Sequence, residues 1–219
     1  AYVFLFFFDF TSFIDRKNPF AVLRAFEKVC MERPFEDVRL IIKIGGAKQR
    51  QEVRNRFMAE LEGFKYRDRI IIIDKSFGNN EIKNLVRCCD CFISLHRAEG
   101  FGRGMAEAMY LGKPVIATGY SGNVDFMNEE NACLVRYDLI PVREGQYPYP
   151  AGQFWAEPDV SHAVDYMLKL LADKNYGRKL GAAASRYLRQ FFNYRAMGLK
   201  YKRRIDEILG EKKTLKSSS

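Results

Sequence analysis

Histidine and tryptophan are scarce in this 219-residue chain, which has two of the first and one of the second. With only His96 and His162, a histidine-built metal centre has too few ligands to form. Long hydrophobic runs are missing as well. The longest near the start, Tyr2 to Phe8, is too short to cross a bilayer and lacks the basic flank of a signal peptide. It reads as a buried strand. The chain opens inside that strand without an initiating Met, so the native protein is expected to extend further on the N-terminal side. The five cysteines (Cys30, Cys88, Cys89, Cys91 and Cys133) are odd in number and three are crowded together. That pattern is no disulfide framework and points to a reducing cytoplasm. No second cysteine pair completes a metal site around Cys88, which leaves small apolar residues at a helix-to-strand junction.

What is plentiful is positive charge. Lys and Arg number 36 against 27 Asp and Glu, a formal net charge of +9. The excess favours anionic partners such as phosphates, nucleic acid or an acidic membrane surface. Part of it belongs to Lys212, Lys213 and Lys216 in a tail ending Ser-Ser-Ser, expected to be disordered over 211–219. A second block, Lys200, Lys202, Arg203 and Arg204, sits on a terminal helix. The basic residues surround no aromatic platform or recognition motif, which argues against nucleic acid.

Six apolar runs read as strands: Tyr2–Phe8, Val38–Ile44, Ile70–Ile73, Cys91–Leu95, Pro114–Thr118 and Ala132–Tyr137. Their near-continuous apolar character suits a parallel sheet covered on both faces. Amphipathic helices fall between them, over Asn18–Arg33, Gln49–Phe64, Asn80–Cys88 and Gly104–Leu111. The alternation predicts an α/β fold, a Rossmann-like doubly wound parallel sheet of about six strands. Leu139 to Trp155 reads as a long surface loop. A helical C-terminal extension follows, predicted over Glu157–Leu171 (with Pro158 at its start), Tyr176–Phe191 and Asn193–Leu209. Residues 1–210 are therefore expected to form one domain.

The chemistry concentrates in one stretch, His96 to Met109, which leaves the strand Cys91–Leu95 and opens a helix. Ligands of open α/β sheets bind at the carboxyl ends of strands. Gly100, Gly102 and Gly104 let the backbone approach such a ligand, and a helix start offers unpaired N–H groups to a phosphate. Glu99 precedes the helix and Glu107 lies about two turns inside it. Both could accept hydrogen bonds from different hydroxyls of one elongated ligand. Alternatively, Glu99 complements the helix dipole and Glu107 is a solvated helix residue.

Glu99-Gly100-Phe101-Gly102 followed by Glu107-Ala108-Met109, with Gly112-Lys113-Pro114-Val115-Ile116-Ala117-Thr118 directly after, resembles the Glu-x7-Glu region of family-4-type retaining glycosyltransferases. Gly119 to Phe126, Arg16-Lys17-Asn18-Pro19 and Trp155-Ala156-Glu157-Pro158-Asp159 resemble further elements of that family, in the right order across residues 1–209. The resemblance implies the C-terminal, donor-binding half of a GT-B enzyme, preceded by an N-terminal acceptor domain. It implies transfer of a sugar from a nucleotide diphosphate-sugar to a glycan or lipid-linked acceptor in polysaccharide synthesis, with retention and without a cofactor or metal. Glu99 would contact the donor sugar, Glu107 the ribose, and backbone amides around Phe101 and Gly102 the sugar or diphosphate.

By the same analogy Lys17 would neutralise the diphosphate; without it, Lys17 is an exposed helix-start lysine. The family's usual Gly-Arg pair is absent, since Asp9-Phe10-Thr11-Ser12 stands there. The phosphate clamp would then draw on Arg16, Arg103 or the Ser12 hydroxyl, with Arg97 a further candidate. His96 reads either as an aid at the reacting face or as a structural histidine. Asn80, Glu81 and Ile82 fall where the family's base-binding loop lies, although Glu81 equally suits a helix start. Tyr194, Met197, Leu199, Tyr201 and Ile205 suit a last helix that crosses back onto the N-terminal domain, and exposing them would promote self-association. A basic surface at the inner face of an acidic membrane fits such an enzyme. The competing reading is a non-catalytic nucleotide-sugar-binding or partner-docking module; a GT-B epimerase or phosphorylase lacks its histidines or its cofactor lysine here.

Overall fold

In the computed structural model the backbone is described for residues 1–217 and the side chains for residues 1–210. The basic tail at 211–219 falls outside the residues whose side chains are described. Six strands form one parallel sheet in the order β3-β2-β1-β4-β5-β6. They are β1 (Tyr2–Asp9), β2 (Val38–Gly45), β3 (Ile70–Ile73), β4 (Cys91–Ser94), β5 (Val115–Thr118) and β6 (Cys133–Val135). The expected doubly wound sheet is present, and its order reverses between β1 and β4, where such sheets open a crevice.

Period-two alternation in β1 explains how the sheet is covered. Phe4, Phe6 and Phe8 face one layer, made with α2 (Pro19–Glu32), α3 (Gln51–Glu62) and α6 (Val160–Ala172). Leu5 faces the other, with α4 (Asn79–Cys88), α5 (Arg103–Tyr110) and α7 (Lys174–Phe191). Phe4, Phe6, Phe26 and Phe57 are fully buried, each worth about 1.5–3 kcal/mol of transfer free energy. A short helix, α1 (Ile14–Lys17), follows β1 and ends at Asn18, whose left-handed φ of 51° lets Pro19 start α2.

The segment read as a loop over Leu139–Trp155 carries an antiparallel hairpin instead. Strands β7 (Tyr137–Pro141) and β8 (Phe154–Pro158) pair Leu139 with Ala156 and Tyr137 with Pro158. Pro158 therefore ends a strand rather than starting a helix. The helix begins at Val160, because Asp159 accepts a hydrogen bond from the His162 amide at 3.0 Å as its N-cap. That amide, chiefly, holds the Asp159 carboxyl below its ordinary range. The last helix, α8 (Tyr194–Ser217), leaves Tyr194, Leu199, Tyr201 and Ile205 exposed. No helix among the described residues is long and apolar enough to cross a membrane.

Candidate donor-binding cleft

The crevice at the β1/β4 switch holds most of the residues singled out above. A cleft of about 510 Å³ is lined by Ser12 and Lys17 after β1, Glu99, Phe101 and Gly102 after β4, and Arg103 and Glu107 on α5. Lys17 Nζ donates to Glu99 Oε1 at 2.5 Å, while Arg16 Nη1 lies 3.4 Å from Glu99 Oε2. The Glu99 side chain is only 11% exposed. Helix α1 and the loop after β4, remote in sequence, thus bring two cations to one carboxylate, a charge-assisted arrangement that fixes all three groups.

The Glu99 backbone is held from the other side by the turn after β5. Its amide donates to Ser121 Oγ at 2.7 Å, and its carbonyl accepts from the Gly122 amide at 3.0 Å. Gly122 is required by this approach, since a Cβ there would sit 2.0 Å from the Gly100 carbonyl oxygen. Gly102, at φ 91°, caps α5, a conformation that L side chains avoid. Gly104 lets the start of α5 lie against Phe7 and Phe92, because a Cβ would meet Phe7 at 2.6 Å. The first amides of α5, beginning at Arg103, have no intrahelical acceptor and line the cleft.

Farther along α5, Glu107 is 33% exposed and has a loose ion pair with Arg103 at 3.4 Å. Arg103 itself is 85% exposed. Phe101 packs on Phe126 with centroids 4.9 Å apart, leaving part of its ring in the cleft.

Other expected site residues are placed elsewhere. Arg97 faces away from the cleft: its Nε donates to Glu157 at 2.6 Å, its Nη1 to the Asp15 carbonyl at 3.0 Å, and its guanidinium lies over the Trp155 ring. Arg97 acts as a strut between α1 and β8. His96 is fully buried. Its Nδ1 lies 3.1 Å from Ser94 Oγ and its Nε2 3.0 Å from Asn123 Oδ1, so the partners assign the proton to Nε2. Burial lowers its pKa and keeps it neutral, despite the opposing charge of Glu99. Thr118 and Asn123 complete this network beneath the Glu99 loop. His96 is thus a structural histidine. Arg16 reaches the cleft only through Glu99, since it also donates to the carbonyls of Ser12 and Ala98. Gly100 faces the hairpin side of Glu99. Glu81 accepts from the Gly78 amide at 2.7 Å and serves the start of α4.

Lys43 was not anticipated. It lines the cleft from β2 and has no ion pair or hydrogen bond among the described residues. Its signal was present: a single charge inside Leu40-Ile41-Ile42-Lys43-Ile44 does not suit a strand buried on both faces. Phe77, just before α4, and Asn79 and Ile82 at its start close the far wall.

Comparison with known proteins identifies the architecture. The chain superposes on the C-terminal domain of a glycosyl transferase group 1 family protein (LpcC) from Francisella tularensis with a TM-score of 0.66 and 17% identity, covering 88% of this chain and 86% of that one. Sucrose-phosphate synthase from Thermosynechococcus elongatus gives a TM-score of 0.70 at 19% identity over 96% of this chain, and HepE from Anabaena, in complex with UDP and glucose, gives 0.68 at 17% identity over 96%. The chain spans 46% and 48% of those two proteins. No curated protein matches it by sequence alone. The fold is that of a GT-B glycosyltransferase C-terminal domain. The family described as glycosyl transferases group 1 matches residues 6–187, and the chain belongs to it.

Proposed function

We propose that this chain binds the nucleotide diphosphate-sugar donor of a retaining glycosyltransferase that elongates a glycan or lipid-linked acceptor. The observation that carries the reading is the cationic, amide-lined crevice between β1 and α5, with Lys17 and Glu99 meeting at the sheet's switch point. HepE, which shares this fold, has been captured with UDP and glucose and with UDP-glucose.

In this reading Lys17, the free Lys43 and the first amides of α5 take the diphosphate. Glu99, already oriented by Arg16 and Ser121, accepts hydrogen bonds from the donor sugar's hydroxyls, and Glu107 accepts from the ribose. As the glycosidic bond breaks, negative charge develops on the departing diphosphate, and Lys17 lies where that charge grows. Because it is paired with Glu99 beforehand, little reorganisation is needed when the phosphate arrives. The side chains supply positive charge without calling for a divalent ion. The exposed apolar face of α8 would be covered by an acceptor-binding half, placing the cleft between two domains, in the cytoplasm and beside an acidic membrane surface.

Calorimetric titration with UDP, GDP, dTDP and ADP tests the reading. Micromolar binding of one nucleotide, weakened by both Lys17→Ala and Glu107→Ala, is expected. A folded protein that binds none of the four, alone or joined to its acceptor half, would overturn it.

A further inference from the structure

A second cleft, of about 400 Å³, meets the first at Glu99. The donor reading leaves it unused. Its floor is Arg16 and Gly100, and its walls come from the hairpin: Tyr147, Tyr149 and Phe154 around Trp155. Tyr149 is 91% exposed and held at a left-handed φ of 53°, while Phe154 is also exposed. Aromatic rings presented to solvent around a concave, polar-based pocket are costly unless something covers them.

The polar atoms in the same place narrow what that is. Trp155 is 2% exposed and its Nε1 has no acceptor. The side-chain amide of Gln153, exposed at the rim, makes no hydrogen bond among the described residues, whereas its backbone N–H donates to the Pro150 carbonyl. Tyr147 closes over the indole edge-on at 6.4 Å, and its other side packs on Phe13 at 4.9 Å. The hairpin is also tied to α1, where Gln146 Nε2 donates to Asp15 Oδ1, and to the segment after β4, where the Ala156 amide donates to the Arg97 carbonyl. The cleft is therefore built onto the segment that carries Arg16 and Lys17.

We propose that the hairpin cleft is an acceptor subsite that takes a neutral sugar residue. This rests on the donor reading, because it is the shared Glu99 that brings an occupant beside the donor sugar. A pyranose has an apolar C–H face and a rim of hydroxyls. The face stacks on Tyr149 and Phe154. The rim reaches the Gln153 amide and, once Tyr147 shifts, the orphan Trp155 Nε1. An alkyl chain would cover the rings and leave both polar groups unmet. A flat protein surface would not enter the concavity.

Trp155 is the sole tryptophan of the chain and lines this cleft, so its fluorescence reports on the cleft's occupancy, with the nucleotide-only titration as the baseline. The experiment titrates the protein with maltotriose, cellotriose and chitotriose, with and without a saturating nucleotide, and follows the emission maximum. At least one trisaccharide is expected to give a saturable shift, with affinity about tenfold weaker in Tyr149→Ala. Nucleotide affinity, measured separately by calorimetry, should be the same in that variant. No shift with any trisaccharide, in a protein that still binds nucleotide, overturns the subsite and leaves the donor reading standing. A trisaccharide shift in a protein that binds no nucleotide, alone or joined to its acceptor half, sinks the donor reading and overturns the acceptor assignment with it, leaving a sugar site of another kind. A response to octyl β-glucoside that methyl β-glucoside and the trisaccharides fail to give assigns the cleft to an alkyl chain and overturns the proposal.

Discussion

Glu99 and Glu107 line the same cleft, yet they are held very differently. Glu99 is ion-paired to two cations, and its backbone is clamped by the Ser121–Gly122 turn. Glu107 is three times as exposed and has only the loose Arg103 pair. One end of the cleft is held by the protein's own contacts; in the proposed donor reading, the other is completed by the ligand. Pre-organisation belongs where geometry must be exact for a reaction, since ordering costs are then met during folding. A group that only anchors the ligand tolerates mobility.

The most damaging way to break this contrast is Gly122→Ala. Its Cβ would collide with the Gly100 carbonyl, so the turn and the Glu99 loop must separate. A loss of about 3 kcal/mol in stability is expected, read as a lower midpoint in denaturant. Lys17→Ala keeps the fold and lowers nucleotide affinity by about 10- to 100-fold, the scale of hydrogen bonds to charged groups. Calorimetry checks it, and an unchanged affinity would remove Lys17 from the site.

Acid should disturb the built end first. Folded His96 has a lowered pKa, so below about pH 6.5 the unfolded chain binds a proton that the folded one resists. Its contribution is fully present above that pH and is lost progressively as pH falls. Melting temperature should therefore decline on the acid side of 6.5, with a shallower decline in His96→Gln. Glu107→Ala should cost about 5- to 10-fold in nucleotide affinity with stability unchanged, in keeping with a part-exposed hydrogen-bond acceptor. The smallest effect is expected from Arg103→Ala, within about 3-fold by titration, because an exposed i,i+4 pair contributes little. A larger loss would mean that Arg103 swings onto the diphosphate and that the open end is not passive.

The parallel sheet was legible because strands buried on both faces write themselves as apolar runs. That the Glu99–Glu107 segment lines the crevice was legible because a glycine-rich strand-to-helix turn at the carboxyl end of a sheet strand opens there. The hairpin was not. Tyr137–Pro141 and Phe154–Pro158 pair across twelve residues, half of them Pro, Gly and Tyr, and neither strand shows a periodicity that stands out from a loop. Arg97 was misplaced for a related reason. It sits two residues from Glu99, but the chain turns between them, and its partners Asp15 and Glu157 come from distant segments.

By itself the sequence determined the alternation of strands and helices, the family resemblance and the positions where the backbone must be glycine. These are local properties, written in neighbouring residues. Only the tertiary structure decided that Lys17 meets Glu99, that His96 serves the Ser121–Asn123 turn from beneath, that Lys43 faces the cleft, and that a second pocket opens behind Glu99. Each of those joins segments separated by tens of residues, and nothing short of sheet order and helix packing can say which distant side chains share a crevice.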